Sequence, residues 1–362
     1  MKKSFDELFE DQTKLGTKIK TDEYHDSGAH IIIDQGQEQI AGYTDLDDGL
    51  FTSVPAIVFG DHTRVIKYVD EPFFLGADGV KVLRCKYNDA NYKYLYYALK
   101  SAKIPNTGYN RHFKWLKETQ ISYPDTSTQV AIVHILDSIT DIVDKRRQEL
   151  SALDDLIKSR FVEMFGDTTL NPFGWDKDLL GAVCDVRDGT HDSPQYYETG
   201  FPLVTSKNVT GGKIDLTDCS LICEEDYKKI NERSKVDMGD IIMPMIGTVG
   251  KPIIVDIEPE FAIKNVSLIK FRSASRVSNI YIRALLQSDY FDDAVMSKVR
   301  GGTQKFISLG DIRKLEVLVP PMERQKQFAT FVTQVDKSKV AVQKALEEAR
   351  VLFDSLMQQY FG

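Results

Sequence analysis

A chain of 362 residues is long enough for two ordinary domains, each with its own core. With 42% hydrophobic and 28% charged residues it has the composition of a soluble globular protein, and no apolar run approaches the ~20 residues of a membrane span. Few cysteines and an N-terminus without an apolar leader predict a reduced, cytoplasmic protein. The net charge of −8 argues mildly against a nucleic-acid partner.

The first part of the chain, residues 1–124, predicts a mixed α/β unit. Alternating apolar residues predict a strand at 79–84, and a short helix is expected at 91–101. The window 81–117 holds nine Lys/Arg against one acid, which is 9 − 1 = +8, with aromatic residues interleaved. This pattern indicates a surface that binds the phosphates of a nucleic-acid backbone. The alternative is an ordinary solvent-exposed face.

Residues 125–166 predict one long helix without internal proline or glycine. Its apolar residues recur alternately four and three positions apart, which is the spacing of a coiled-coil seam. The same spacing recurs in residues 322–362. The seam residues predicted in the two helices are Ile132, Leu136, Ile139, Val143, Leu150, Leu153, Ile157, Phe328, Val332, Val335, Val342, Leu346, Phe353 and Leu356.

The part between the two helices, residues 167–321, again predicts a mixed α/β unit. Strands are expected at 239–247 and 266–272, and a helix at 279–293. The window 264–314 holds ten Lys/Arg against four acids, which is 10 − 4 = +6. A second basic window on an acidic chain favours nucleic acid over a solvated face.

The chain is an internal duplication. Residues 129–166 align with 325–362 without a gap, at an offset of 196, and both segments close on Phe-Gly. Each helix begins where its own unit ends, so an antiparallel pair would hold the two units apart, at the ends of helices ~57 Å long. The predicted fold is therefore two mixed α/β globular units and two long antiparallel coiled-coil helices, related by an approximate two-fold.

Motifs of catalysis are missing from the sequence. GTVGKP (247–252) lacks the glycine spacing and the hydroxyl residue of a phosphate loop, and neither GxSxG nor HExxH occurs. Cys219 and Cys223 have no second cysteine pair or nearby histidine, so two half-buried thiols are favoured over a zinc site. We expect neither a catalytic nor a metal site.

The amino-acid sequence of the chain resembles that of the specificity subunit of type I restriction–modification systems. The resemblance covers nearly the whole length and is carried by VRDGTHDSPQYYETGFPLVTSKNV (186–209), VDMGDIIMPMIGTVGKPIIVD (236–256), GGTQKFISL (301–309) and KRRQELSALDDLIKSRFVEMFG (145–166). In the first half, GYNRHFKWL stands where the second half has the GTQK-type loop, and no DGTH-SP segment occurs.

The resemblance implies a non-catalytic subunit that reads a bipartite DNA target with one domain per half-site. It implies methyltransferase subunits, expected to be two, that dock on the helices, and restriction–translocation subunits as further partners. S-adenosylmethionine, ATP and magnesium would belong to those partners, with no cofactor in this chain. A stand-alone two-headed DNA-binding protein, a related type IIB-like system and a nucleotide- or metal-using enzyme are the alternatives.

The expected DNA contacts lie in loops that are selected by the duplication and that carry side chains able to bind DNA. Arg, Gln and Asn can read base edges, whereas Lys, Ser and Thr suit phosphates. Use of the same residues to build turns is the competing interpretation. The candidates are Tyr109, Asn110, Arg111, His112, Lys114, Thr190, His191, Ser193, Lys207, Asn208, Thr303, Gln304 and Lys305.

Overall fold

The chain folds into two compact units that share both long helices. A computed structural model describes residues 1–76, 78–108, 110–210, 212–246, 250–295 and 306–362. Unit 1 comprises Met1–Arg147 and Lys344–Gly362, and unit 2 comprises Gln148–Gln343. Among the described residues, no helix combines the length and the apolarity needed to cross a membrane.

Among its described residues, unit 1 contains short strands and three short α-helices ahead of the first long helix. The strands are β1 (Lys2–Ser4), β2 (Phe9–Asp11), β3 (His30–Ile33), β4 (Gly42–Thr44), β5 (Ala56–Gly60), β6 (Ile66–Val69), β7 (Phe73–Leu75), β8 (Val80–Cys85) and β9 (Gln120–Ser122). The helices are α1 (Phe5–Leu8), α2 (Tyr92–Lys100) and α3 (Phe113–Lys117), followed by α4 (Thr126–Phe165).

The strands of unit 1 form three small sheets. The largest is antiparallel with the order β2-β8-β5-β6, the second has the order β4-β3-β7, and β1 pairs with β9. Only the β3–β7 pair of these sheets is parallel, with Ile32 opposite Phe74. Every residue of β5 is buried, because this internal strand is covered on both faces. Its Ile57 pairs with Leu83 of β8 and Tyr68 of β6.

Unit 2 has a longer set of elements. The strands are β10 (Asp176–Leu179), β11 (Asp185–Asp188), β12 (Phe201–Val204), β13 (Val209–Thr210), β14 (Lys213–Ile214), β15 (Ser220–Ile222), β16 (Ile241–Pro244), β17 (Ile253–Ile254), β18 (Ala262–Ile263), β19 (Val266–Lys270) and β20 (Glu316–Val319). The helices are α5 (Leu180–Val183), α6 (Glu224–Ser234), α7 (Asn279–Leu285), α8 (Asp289–Val295) and α9 (Leu309–Arg313), followed by α10 (Met322–Phe361).

The sheets of unit 2 repeat those of unit 1. The largest has the order β11-β19-β16-β17, the second has the order β15-β12-β18, and β10 pairs with β20. Again the middle strand of the second sheet makes the parallel pair, with Leu203 opposite Ala262. Unit 2 adds the β13–β14 ribbon. The identical strand order confirms the duplication inferred from the sequence.

The two long helices run antiparallel. In unit 1 the core that contains Leu136 of α4 also takes in Phe353 and Phe361, near the end of α10. In unit 2 the core that contains Phe161, near the end of α4, takes in Phe328, near the start of α10. Since the start of each helix lies against the end of the other, the predicted direction of the pair is confirmed.

The predicted seam residues are all at least partly buried. Nine of them are buried: Ile132, Leu136, Ile139, Val143, Phe328, Val332, Val335, Val342 and Leu346. Five are half-buried: Leu150, Leu153, Ile157, Phe353 and Leu356. Where a lysine interrupts the pattern at position 339, its Nζ lies 2.5 Å from an oxygen of Asp154.

One buried glutamine connects the globular part of unit 1 to α4. Gln129 is 1% exposed; its Oε1 accepts a hydrogen bond from the backbone N–H of Asn91 at 3.0 Å, and its Nε2 donates to the carbonyl of Pro124 at 2.9 Å. Asn91 caps α2, because its side chain accepts from the N–H of Tyr94. The Tyr94 hydroxyl donates to the carbonyl of Ser122 at 2.8 Å.

Unit 2 repeats this connection at α10. Gln325 is fully buried; its Oε1 accepts from the backbone N–H of Ser278 at 2.8 Å, and its Nε2 donates to the carbonyl of Pro320 at 2.8 Å. Ser278 caps α7, and the Tyr281 hydroxyl donates to the carbonyl of Leu318 at 3.0 Å. The duplication therefore extends to individual buried hydrogen bonds.

The three predicted strands are confirmed in position: β8 is shifted by one residue, whereas β16 and β19 are shorter than expected. The helix expected at 91–101 is α2. The single helix expected at 279–293 is wrong, because α7 ends at Leu285 and α8 starts at Asp289. Ser288 lies at the break, and its carbonyl accepts the N–H of Phe291. Serine and aspartate favour a helix start over a helix interior, which explains the interruption.

Replacing either glutamine with alanine should destabilise its own unit. Gln129→Ala and Gln325→Ala each leave a buried N–H and a buried carbonyl without a partner, at a cost of about 1–3 kcal/mol in the free energy of unfolding. Urea denaturation measures this loss, and the exposed Gln334→Ala on α10 is the matched control. Losses as small as that of the control, about 0.5 kcal/mol or less, would contradict the structural role.

Candidate nucleic-acid interface

In unit 1 the loop that precedes α3 is anchored by a buried histidine. His112 is 0% exposed, and both its N–H and its Nδ1 lie at hydrogen-bond distance from the carbonyl of Asp61, at 2.8 and 3.0 Å. Because a carbonyl only accepts, Nδ1 carries the proton, and Nε2 can accept from Thr107 at 3.4–3.5 Å. A direct contact of this side chain with DNA, expected from the sequence, does not agree with its burial.

The residues next to His112 are exposed. Asn110 donates from Nδ2 to the carbonyl of Thr107, and Gly108 occupies the left-handed region at φ +78°, which closes the turn. Arg111 and Lys114 flank His112 with exposed side chains. The buried histidine thus fixes a loop whose outer surface is cationic and amide-rich.

Further cations gather around this loop from other parts of unit 1. Lys81 lies 5.0 Å from the centre of the Phe113 ring and 2.8 Å from Asp11. Burial alone would raise the pKa of Asp11, but hydrogen bonds from Lys81 and Thr13 outweigh it and lower that pKa. Lys81 of β8 therefore lies beside the start of α3, with part of its charge neutralised by Asp11 of β2.

Arg111 lies close enough to the carboxylate of Asp78 for its charge to act on it. Lys18 lies 2.8 Å from Asp78 and lowers its pKa by a hydrogen bond, and the charge of Arg111 lowers it further. Lys18 and Arg111 thus lie on the same side of unit 1, although 93 residues separate them in the sequence.

In unit 2 the DGTH segment lies at the end of β11. A Cβ at Gly189 would approach the carbonyl oxygen of Ile263 to 2.3 Å, so glycine is required there. The N–H of Thr190 donates to that same carbonyl at 3.0 Å, and the carbonyl of Thr190 accepts from Asn265 at 3.2 Å. These bonds hold His191 at the surface, with its side chain 61% exposed.

Two oxygens face the His191 imidazole. Nε2 lies 2.9 Å from Oδ2 of Asp188, and Nδ1 lies 2.9 Å from Oδ1 of Asn265. The hydrogen bonds to Asn265 and Asp188 raise the pKa of His191. Asp188 is buried and also accepts from Arg233 of α6, so it joins the loop to that helix.

The other candidates of unit 2 divide between surface and interior. Lys207 and Ser193 are exposed, and Ser193 Oγ accepts from Lys264 Nζ at 2.6 Å. Asn208 is buried, and its Oδ1 accepts from both the N–H and the hydroxyl of Thr205 at 3.0 Å. Asn208 therefore closes a turn, which disagrees with its expected role as a DNA contact. Tyr109, Thr303, Gln304 and Lys305 lie outside the described residues.

Part of the positive charge in the two basic windows is neutralised within the protein. Lys93 of α2 lies 2.7 Å from Asp137 on α4, and Arg283 of α7 lies 3.2 Å from Asp336 on α10. Arg313 donates twice to the backbone carbonyl at position 186. The windows thus combine cations that hold each unit to its helix with cations that are free to face a ligand.

Sequence reasoning missed Asp61, Lys18, Asp188 and Arg233 as parts of these sites. Asp188 is the first residue of the DGTH segment, and a carboxylate three residues before a histidine could have indicated this pair in the sequence. Arg233 lies 42 residues after His191, and no local pattern connects the two. Among the described residues, three or more His, Cys, Asp or Glu side chains do not gather in a group able to hold a metal ion.

Comparison with known proteins agrees with this architecture. Residues 1–153 and 172–349 match the family described as the type I restriction modification DNA specificity domain. Together these ranges cover most of the chain, which therefore belongs to that family.

Individual relatives are distant. The chain is 24% identical over 266 residues to the type I restriction enzyme MjaIX specificity subunit of Methanocaldococcus jannaschii, with 67% of this chain and 60% of the relative covered. It is 30% identical over 156 residues to the EcoR124I/EcoR124II specificity subunit of Escherichia coli, with 40% and 38% covered. The chain thus spans less than two thirds of the length of these relatives.

The fold is also that of a solved S subunit. The crystal structure of the type I restriction–modification system S subunit from M. genitalium superimposes with a TM-score of 0.58 at 18% identity, covering 100% of this chain and 96% of that one. A likeness at this identity establishes the shared fold.

Replacing Asp61 with alanine should loosen the anchored loop of unit 1. Its Oδ1 accepts from the N–H of Phe113 at 2.7 Å and caps α3, so Asp61→Ala should cost about 1–2 kcal/mol of unfolding free energy. Trp115 fluorescence in a Trp175→Phe background reports this unit during urea denaturation. The exposed Asp48→Ala is the control, and equal midpoints for the two variants would refute the anchoring role.

Proposed function

We propose that this chain is the DNA-recognition subunit of a type I restriction–modification complex and carries no catalytic activity of its own. Each unit would read one half of a bipartite DNA target. The observation that supports this most strongly is the repetition of one strand order in both units, each with a rigid loop that presents cations and amides beside its four-stranded sheet. Such side chains suit phosphates and base edges.

The acidic net charge of the whole chain is compatible with DNA binding because the charge is unevenly distributed. Residues 125–166, which form most of α4, carry five bases and eight acids, which is 5 − 8 = −3. The cations around Arg111 and His191 lie on the globular parts instead. Contacts with phosphate depend on local potential within about a Debye length, ~8–10 Å, rather than on net charge.

The partners that we propose are methyltransferase subunits, two per chain, and restriction–translocation subunits, all docked on the long helices. Exposed apolar side chains on α4 support docking, because exposed apolar groups mark interaction surfaces. Those in unit 1 are Val130, Ile135 and Ile142, and those in unit 2 are Leu156 and Val162. Partner subunits would bind S-adenosylmethionine, ATP and magnesium. The complex would be located in the cytoplasm.

Exchange of the first recognition domain tests the assignment of one domain to each half-site. Replacing residues 1–124 with the corresponding part of another family member should change one half of the methylated sequence, since the two domains are duplicates with separate cores. The complementary exchange of residues 167–321 should change the other half. Methylation-sensitive sequencing of cells that carry each chimera and its methyltransferase gives the answer. A change in both halves from a single exchange would disprove the assignment.

Arg111→Ala tests the loop of unit 1 directly. If Arg111 contacts a phosphate, its loss should reduce the slope of log K against log salt by roughly 0.9. If it reads a base, binding should weaken by about 1–3 kcal/mol, with relaxed specificity at one position. A salt titration of DNA binding by the assembled complex distinguishes these outcomes, with Lys145→Ala on α4 as a matched surface control. An unchanged affinity and slope would show that this loop faces away from DNA.

A further inference from the structure

Asp188 holds two cationic side chains that come from different elements. It is the last residue of β11, and its side chain is 8% exposed. One carboxylate oxygen accepts from Arg233 of α6 and the other lies against His191 of the surface loop. The side chains of Arg233 and His191 are themselves 66% and 61% exposed. A buried acid thus places two exposed cations side by side.

The surroundings of His191 favour its doubly protonated form. Both ring nitrogens face oxygen atoms, and only the imidazolium can donate to both. Asn265 is fixed in the left-handed region at φ +56° and bonded through its N–H to the carbonyl of Thr190, so this partner is held in place. The charged groups around the loop, from every element that packs on it, are Asp188, Asp192, Asp226, Lys229, Arg233 and Lys264.

We propose that Asp188 is a positioning residue for DNA binding by unit 2, which holds the His191 imidazolium beside Arg233 and thereby makes the affinity for DNA fall as the pH rises through the titration of His191. The inference rests on the proposed function of the chain. Asp188, the first residue of the DGTH segment, would position the positive charges of His191 and Arg233, although its own negative charge repels DNA.

Charge counting gives the direction of the pH dependence. With His191 protonated, the three side chains sum to −1 + 1 + 1 = +1, and with His191 neutral they sum to −1 + 0 + 1 = 0. The pKa of His191 is raised by the bonds to Asn265 and Asp188, so the charged form extends toward neutral pH. Since DNA phosphates favour the +1 state, affinity is highest below this pKa and decreases above it.

Asp188→Asn separates positioning from simple electrostatics. Removal of a negative charge near phosphates would by itself tighten DNA binding. If Asp188 positions the two cations, binding instead weakens several-fold, because the amide of asparagine keeps one accepting oxygen and can hold only one of the two. The measurement is fluorescence anisotropy of a labelled duplex of mixed sequence with the full-length chain assembled with its methyltransferase, from about pH 5 to 8. Tighter binding by Asp188→Asn would overturn the proposal.

His191→Gln covers the case in which Asp188→Asn fails to fold, because the exposed His191 side chain contributes little to the core. In wild type the slope of log K against log salt should become shallower by roughly 0.9 as the pH rises through the titration, and His191→Gln should remove this change. His134→Gln, an exposed histidine of α4, should leave it intact. A pH dependence that survives His191→Gln would overturn the proposal.

Histidine imidazole NMR of the DNA-free chain keeps this inference distinct from the proposed function. The His191 pKa should lie above the ordinary value of a histidine and should fall in Asp188→Asn. A raised, Asp188-dependent pKa in a chain whose assembled complex binds no duplex would overturn both the DNA-linked inference and the proposed function. DNA binding with an unraised His191 pKa would overturn the inference alone.

Discussion

A buried glutamine near the start of each long helix is the interaction on which the architecture depends. Gln129 and Gln325 each join three pieces of chain: the proline that ends the globular part, the cap of a short helix, and the long helix itself. A buried amide that lost one of these partners would retain an unpaired polar group, which is costly in an apolar core. These hydrogen bonds therefore hold the start of the short helix against the start of the long helix in each unit.

Rigid presentation is also the common feature of the two candidate DNA-binding surfaces, although the chemistry differs. In unit 1 His112 is buried and acts through its hydrogen bonds to Asp61 and Thr107. In unit 2 the exposed His191 carries raised basicity and is held by a buried Asp188. A preorganised loop loses less conformational freedom on binding, so more of its contact energy remains as affinity and as discrimination between sequences.

Some basic side chains of this protein pair with acids on the long helices, and others are exposed. Composition alone cannot separate these two groups. Lys93 and Arg283 are counted in the basic windows, yet both bind carboxylates on the long helices and help to hold each unit on its helix. Arg111 and Lys207 are exposed. The division is decided by which acids the fold brings within reach, and those acids lie 44 and 53 residues away in the sequence.

The sequence by itself determined the duplication, the helix pair and the approximate places of the main strands, because these depend on periodic apolar patterns and on the offset of 196 residues between the repeats. It also located the DGTH loop, whose glycine and hydroxyl residues are local turn chemistry. Only the tertiary structure decided that His112 and Asn208 are buried, since burial depends on what packs above a residue. It alone paired Asp188 with Arg233, because hydrogen bonds between elements distant in sequence leave no periodic trace.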